Sequence, residues 1–296
     1  MNNLQPSPPI TRRKFFRRTA LATTAAAAAY AIGVEPRWVS VERSSLPIPN
    51  LPESLTGKIA VQISDLHIGS RVGDDYLRSQ FDYIKTLNPD FVFFTGDFLD
   101  NASEWHVEKG EALLKDFPRG KIGTACVLGN HDFGHEPTDV AKNAQHTRRL
   151  IDLFERADLN LLLDQSVDLG GLHVAGLKDF WFGGFDHQSA ALAIESVATQ
   201  PSIVLSHNPD TVDLPIWDGY DSWVLCGHTH GGQCTFPLVG APVLPVENRR
   251  YVSGSYEIEG GHKMYISRGV GHTHRVRFMA RPETVSYTHL TLPTKA

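Results

Sequence analysis

Five times along this chain a short apolar run ends on a turn made of metal-binding residue types. Lys58 to Ile63 leads into Ser64-Asp65, Phe91 to Phe94 into Gly96-Asp97, and Ile122 to Leu128 into Gly129-Asn130. Ile203 to Leu205 leads into Ser206-His207, and Trp223 to Leu225 into Gly227-His228. Uninterrupted apolar runs suit strands that are buried on both faces. Between them, Asp74 to Leu87, Val107 to Phe117, Ala141 to Phe154 and, more weakly, Ala190 to Ala198 carry apolar residues at helical spacing. Strands alternating with helices predict an α/β fold, and such folds place their sites at the carboxyl ends of strands. Further strands are expected at His173 to Leu177, Lys263 to Ser267 and Arg275 to Met279. A chain of 296 residues, 41% of them hydrophobic, is long enough for a packed core of this kind.

The turns themselves carry the chemistry. Asp65-Leu66-His67 sets a carboxylate and an imidazole two apart, and in an extended segment such residues face the same way. Alone the spacing is common. Gly96-Asp97 taken by itself would more often be a turn or a helix cap. Gly129-Asn130-His131-Asp132 is more specific: an amide oxygen is a neutral ligand, and the adjacent histidine is left to face a substrate. Gly227-His228-Thr229-His230-Gly231-Gly232-Gln233 is the most specific, two histidines on a glycine-flanked turn. His207 would be structural if it stood alone. The chain has 14 histidines, and their gathering beside Asp and Asn points to metal. Three cysteines, Cys126, Cys226 and Cys234, make no disulfide framework and read as buried thiols.

Taken in order, Asp-x-His, Gly-Asp, Gly-Asn-His-Asp, a lone His and Gly-His-Thr-His resemble the calcineurin-like metallophosphoesterases. Ser64-Asp65-Leu66-His67, Leu205-Ser206-His207-Asn208-Pro209-Asp210, the Gly-His-Thr-His segment, Ser267-Arg268-Gly269-Val270-Gly271 and Arg281-Pro282-Glu283 are similar in detail to the YaeI/YkuE-like phosphodiesterases. The resemblance covers Lys58 to Glu283. It implies a four-layer α/β/β/α sandwich with a dinuclear site at the strand ends. It assigns Asp65, His67 and His230 to one divalent metal ion, Asn130, His207 and His228 to a second, and Asp97 as the bridge. Mn, Fe, Zn and Co all suit such a ligand set. The implied reaction is hydrolysis of a phosphate ester by a metal-activated hydroxide, with His131 as the catalytic residue across the phosphate. Asp132 is expected either to orient His131 or to cap a helix. His272-Thr273-His274 is surplus to the ligands and reads as pocket wall or surface. Arg268 could meet a phosphate or form a structural ion pair. A nucleotide-linked lipid of the UDP-2,3-diacylglucosamine type is an alternative substrate for a pyrophosphate-cleaving enzyme. A catalytically inactive metal-binding scaffold is a rival from another class, but such drift should erase ligands, and here none is missing.

The charge is unevenly spread. The whole chain carries −5, but Arg12, Arg13, Lys14, Arg17 and Arg18 lie near its start, so the body without those five cations is at −10. An acidic body argues against a nucleic-acid partner. The basic segment and the Ala/Thr-rich stretch from Leu21 to Val34 resemble a twin-arginine export signal. Residues 1–34 are therefore expected to act as a leader or membrane anchor. The partners expected are the export machinery, a small-molecule or lipid phosphate ester and, in the cell envelope, the membrane. Ala29-Tyr30-Ala31 offers a cleavage site. Residues 35–57, with four prolines, read as a linker, 58–285 as the catalytic domain, and 286–296 as a tail foreign to the native protein.

Overall fold

Phe91 and Phe93 face one apolar core while Val92 and Phe94 face another, and this alternation of side chains sets the layering of the molecule. The computed structural model describes residues 11–134 and 140–292. In chain order the elements are α1 (Arg12–Gly33), β1 (Ser40–Pro47), β2 (Ala60–Ile63), α2 (Asp74–Thr86), β3 (Phe91–Thr95), α3 (Glu104–Leu114), β4 (Gly123–Val127), α4 (Val140–Arg156) and β5 (Asn160–Leu161). There follow β6 (Gln165–Leu169), β7 (Leu172–Gly176), α5 (His187–Ala198), β8 (Ser202–Leu205), β9 (Trp223–Cys226), β10 (Gly254–Glu257), β11 (Lys263–Ile266) and β12 (Glu283–Thr291).

Two six-stranded sheets result, in the orders β1-β12-β2-β3-β4-β5 and β10-β11-β9-β8-β7-β6. The central strands of each run parallel. Ala60, Phe91, Phe93, Ala125 and Val127 pack across the gap on Val174, Ile203, Leu205 and Leu225 of the other sheet. Val61, Ile63, Val92, Phe94 and Cys126 turn outward onto Leu77, Phe81 and Ile84 of α2, Leu113 of α3, and Leu150 and Phe154 of α4. Val204, Val224 and Ile266 turn outward on the far side onto Ala190, Ile194 and Val197 of α5. The expected four layers are present.

Three regions differ from expectation. Residues 35–57 are part of the fold: β1 pairs in parallel with β12, and Leu46, Ile48, Leu51 and Leu55 are buried. The prolines suggested a linker, but an edge strand tolerates proline because one row of its backbone groups has no ladder to maintain. Structurally residues 286–291 are no loose tail, since they continue β12 alongside β1. Arg275 to Met279 is not a strand; it is an irregular loop with one isolated bridge at Phe278. Its apolar-basic alternation mimicked a strand, whereas Arg277 is fully buried. Residues 1–10 of the expected leader and 293–296 of the expected tail lie outside the described residues. The described part of the expected leader is α1, capped by the Thr11 hydroxyl and exposed except near its end, where Ala31 is buried. Among the described residues no helix is long and apolar enough to cross a membrane.

Candidate metal centre

The five expected strands end side by side, and the loops that follow them are laced together by backbone bonds. Asp65 N–H donates to Gly96 O, His67 N–H to Asp97 O, Gly227 N–H to His207 O and Gly271 N–H to Asp65 O. The Asp-x-His segment is not extended as expected. Asp65, His67, Asp97, His228 and His230 all have positive φ, between 48° and 73°. Residues other than glycine rarely adopt this left-handed backbone, and it concentrates at functional sites where the surroundings hold it. Here the cross-loop bonds do so. Glycine is required beside these turns for space as well. A Cβ on Gly227 would collide with the Ser64 hydroxyl and the Asp65 carboxylate, and one on Gly129 with the Asp97 carboxylate.

The side chains so placed form two groups that share one residue. Asp65, His67, Asp97 and His230 converge in the first, and Asp97, His207 and His228 in the second. His230 Nε2 is 3.4 Å from Asp65 Oδ1, and His67 Nε2 is 3.6 Å from Asp97 Oδ2. In the second group His207 Nε2 is 3.2 Å from Asp97 Oδ2, from Asn130 Oδ1 and from His228 Nδ1. All seven expected ligands are therefore together, and Asp97 stands where the bridge was expected. His207 is oriented by its Nδ1, which lies 2.7 Å from the Thr95 carbonyl.

The electrostatics fit a missing positive charge. Burial pushes the pKa of His67 and His230 well down, and their Nε2 atoms face each other at 2.9 Å. Burial likewise lowers His228 to about 3, and its Nε2 is buried without a partner. Burial also raises Asp65, with Asp97 beside it adding to the effect. Burial opposes a charge on His207, but Asp97 outweighs it and holds the His207 pKa up at about 10. Apart from His207, the imidazoles here are held neutral beside buried carboxylates, an arrangement that a cation would satisfy.

His131 lies on the rim, with its N–H donating to Asp97 Oδ1 and its Nδ1 2.9 Å from the Asp100 carbonyl. The orienting role expected of Asp132 is not what the structure shows. Its carboxylate accepts from the N–H groups of Phe98, Leu99 and Gly129, which ties the β3 and β4 loops together. This is closer to the capping alternative. Arg268 pairs with Glu42 and Glu283 and is structural.

Three contributors were not foreseen. Asp100 sits with Oδ1 3.7 Å from His67 Nδ1 and pairs through Oδ2 with Arg71 at 2.6 Å. Arg277 donates to the backbone oxygens of His230 and Gly271 and reaches His230 Nδ1 at 3.1 Å, thereby fixing the second clamp histidine. Trp181 packs its ring edge-on to His228 at 4.6 Å. Asp100 follows Asp97 by three positions in the same turn, and that closeness was the available signal. Arg277 gave none, since an arginine alternating with apolar residues looks like a strand residue facing solvent. Over the ligands opens a cavity of about 280 Å³, walled by Asp97, His131, Trp181, His228, Gln233 and Val243.

The sequence model of the calcineurin-like phosphoesterases matches residues 60–232. The chain belongs to the calcineurin-like phosphoesterase family. It is 29% identical to the metallophosphoesterase YkuE of Bacillus subtilis, over 88% of this chain and 88% of that one. It is 29% identical to phosphodiesterase YaeI of Escherichia coli, over 93% and 97% of the two chains. It is 28% identical to UDP-2,3-diacylglucosamine pyrophosphatase LpxG of Chlamydia trachomatis, over 84% and 89%. This calcineurin-like protein is thus a metal-dependent hydrolase of phosphoric esters, as its motifs implied.

Proposed function

We propose that the chain is a phosphodiesterase of the cell envelope, acting on a phosphate diester that includes lipid-linked substrates. The observation that carries this is the pair of ligand sets joined at Asp97, with His131 on the rim of the same cavity. Asp65, His67 and His230 would hold one divalent ion, Asn130, His207 and His228 the other, and Asp97 both. Such ions neutralise phosphate charge and supply an acidified water at neutral pH. The remaining work falls to the chain. His131 keeps its Nδ1 proton on the Asp100 carbonyl, so a proton gained at Nε2 is the one it delivers to the leaving oxygen. Trp181 and Val243 wall the cavity and limit water there. The ligand set, free of thiolate, suits Mn as well as Fe, Zn or Co.

A lipid substrate is favoured by the loop that forms one lip of the cavity. Leu238, Val239 and Val243 are exposed at 108%, 73% and 76%, with Phe236 beside them. Apolar side chains held out in this way suit the boundary of a bilayer. LpxG, named for a UDP-linked lipid, keeps pyrophosphate cleavage as the second reading. Export through the twin-arginine route is supported by the basic start of α1 and by its exposed course; a reporter fused to a leader lacking Arg12 and Arg13 should stay inside the cell, and undiminished export would refute that route. The activity is tested by presenting the manganese-loaded chain with a bis-aryl and a mono-aryl phosphate. Preferential turnover of the diester is expected. A clear preference for the monoester would overturn the diesterase reading.

A further inference from the structure

The segment 272–275 divides two cavities. Thr273 and His274 face the metal-side cavity, while His272 and Arg275 face another, of about 530 Å³, on the opposite side. Arg37, Arg71 and Arg275 line this second cavity together with Tyr76 and the start of α2. Three guanidiniums on one cavity are notable in a body whose overall charge is negative. The carboxylates on the same walls are Asp74 and Asp75; Lys109 holds Asp74 at 2.8 Å, and Asp100 holds Arg71 from behind.

His272 supplies the independent observation. It is only 4% exposed, yet neither of its ring nitrogens has a hydrogen-bond partner. Burial lowers its pKa to about 4, and Arg277, Arg275 and Arg37 add to that, while the Arg71 backbone opposes the shift. A buried polar ring left unpaired is costly unless something else satisfies it. The α2 terminus adds donors: Gly73 precedes the helix with no side-chain cap, so the first N–H groups of a 13-residue helix are unclaimed by a capping side chain.

We propose that this cavity is a second anion site, separate from the metal centre, that takes a phosphate group. Arg37 and Arg275 would pair with its oxygens, His272 would donate its ring N–H, and the α2 terminus would face the remaining charge. The phosphate could be free or carried on a lipid headgroup, and the chemistry of recognition is the same.

The test is equilibrium dialysis of radiolabelled inorganic phosphate against the manganese-loaded full chain. Two binding events are expected. In an Arg37→Gln, Arg275→Gln double variant, one should weaken by about tenfold or more, the scale of losing charge-assisted hydrogen bonds. The event at the metal centre should persist, and it serves as the internal check that the variant is folded. A single event in the unmodified chain, or two unchanged events in the variant, would overturn the proposal. Sedimentation with phosphatidylcholine vesicles, with and without phosphatidic acid, separates the sources. Binding that depends on phosphatidic acid and is lost in the double variant assigns a headgroup. Phosphate binding with no such dependence assigns a soluble anion.

Discussion

At the scale of single residues, the candidate ligands are legible because metal chemistry restricts side-chain type. Few patterns other than a dinuclear site require Asp65, His67, Asp97, Asn130, His207, His228 and His230 in that order, and the structure brings all of them together. Residues that act on the ligands were not legible, because their contacts depend on long-range folding. Asp100 and Arg277 reach histidines 33 and 47 positions away. Sequence alone leaves Asp132 open between orienting its neighbour His131 and capping, and the structure shows its oxygens accepting from the β3 loop and from Gly129, nearer the second. Two consequences can be measured. His131→Ala should keep its metals, by elemental analysis, while turnover falls by about 10²–10⁴-fold, the usual share of a proton donor. Loss of metal instead would mean that His131 is itself a ligand. Asp132→Ala should lower stability by about 3 kcal/mol in urea unfolding, because it leaves buried N–H groups of two loops unpaired. A loss of turnover at unchanged stability would restore a direct role for it.

At the scale of elements, the buried parallel strands and amphipathic helices were readable from periodicity. β2, β3, β4, β8 and β9 each appear within a residue or two of expectation, and so do α2 and α4. The edges were not readable, since an edge strand needs neither continuous apolar residues nor freedom from proline. β1 is the example, with Arg43 and Ser45 exposed, Ser40, Glu42 and Ser44 half-buried, and Leu46 as its one buried residue. A chain beginning at residue 48 should therefore unfold at a temperature lower by roughly 5 °C or more than one beginning at residue 35, given the usual few degrees per kcal/mol. Equal midpoints would return 35–47 to the status of linker. The loop over 236–243 makes a separate prediction. Leu238→Ser with Val239→Ser should leave turnover of a soluble bis-aryl phosphate unchanged and reduce turnover of a phospholipid presented in vesicles. Equal effects on both would remove the membrane from the loop's function.

At the scale of the whole molecule, two sheets converge so that loops from both contribute to one site. Asp65, Asp97, Asn130 and His131 follow strands of the first sheet, and His207, His228 and His230 follow strands of the second. Neither sheet alone holds a complete ligand set. The layering, which packs Phe91 and Phe93 against Ile203 and Leu205, is thus also what aligns the two halves of the metal centre. The central claim is that a pair of divalent ions in this shared site performs phosphoester hydrolysis. It is tested most directly by measuring metal content and bis-aryl phosphate turnover on one sample of the full chain, before chelation, after chelation and after manganese is restored. Turnover should vanish with the metal and return when a pair of ions per chain is bound again. A chain that holds both ions and turns over neither diester nor monoester would contradict the claim and leave a metal-binding scaffold in its place.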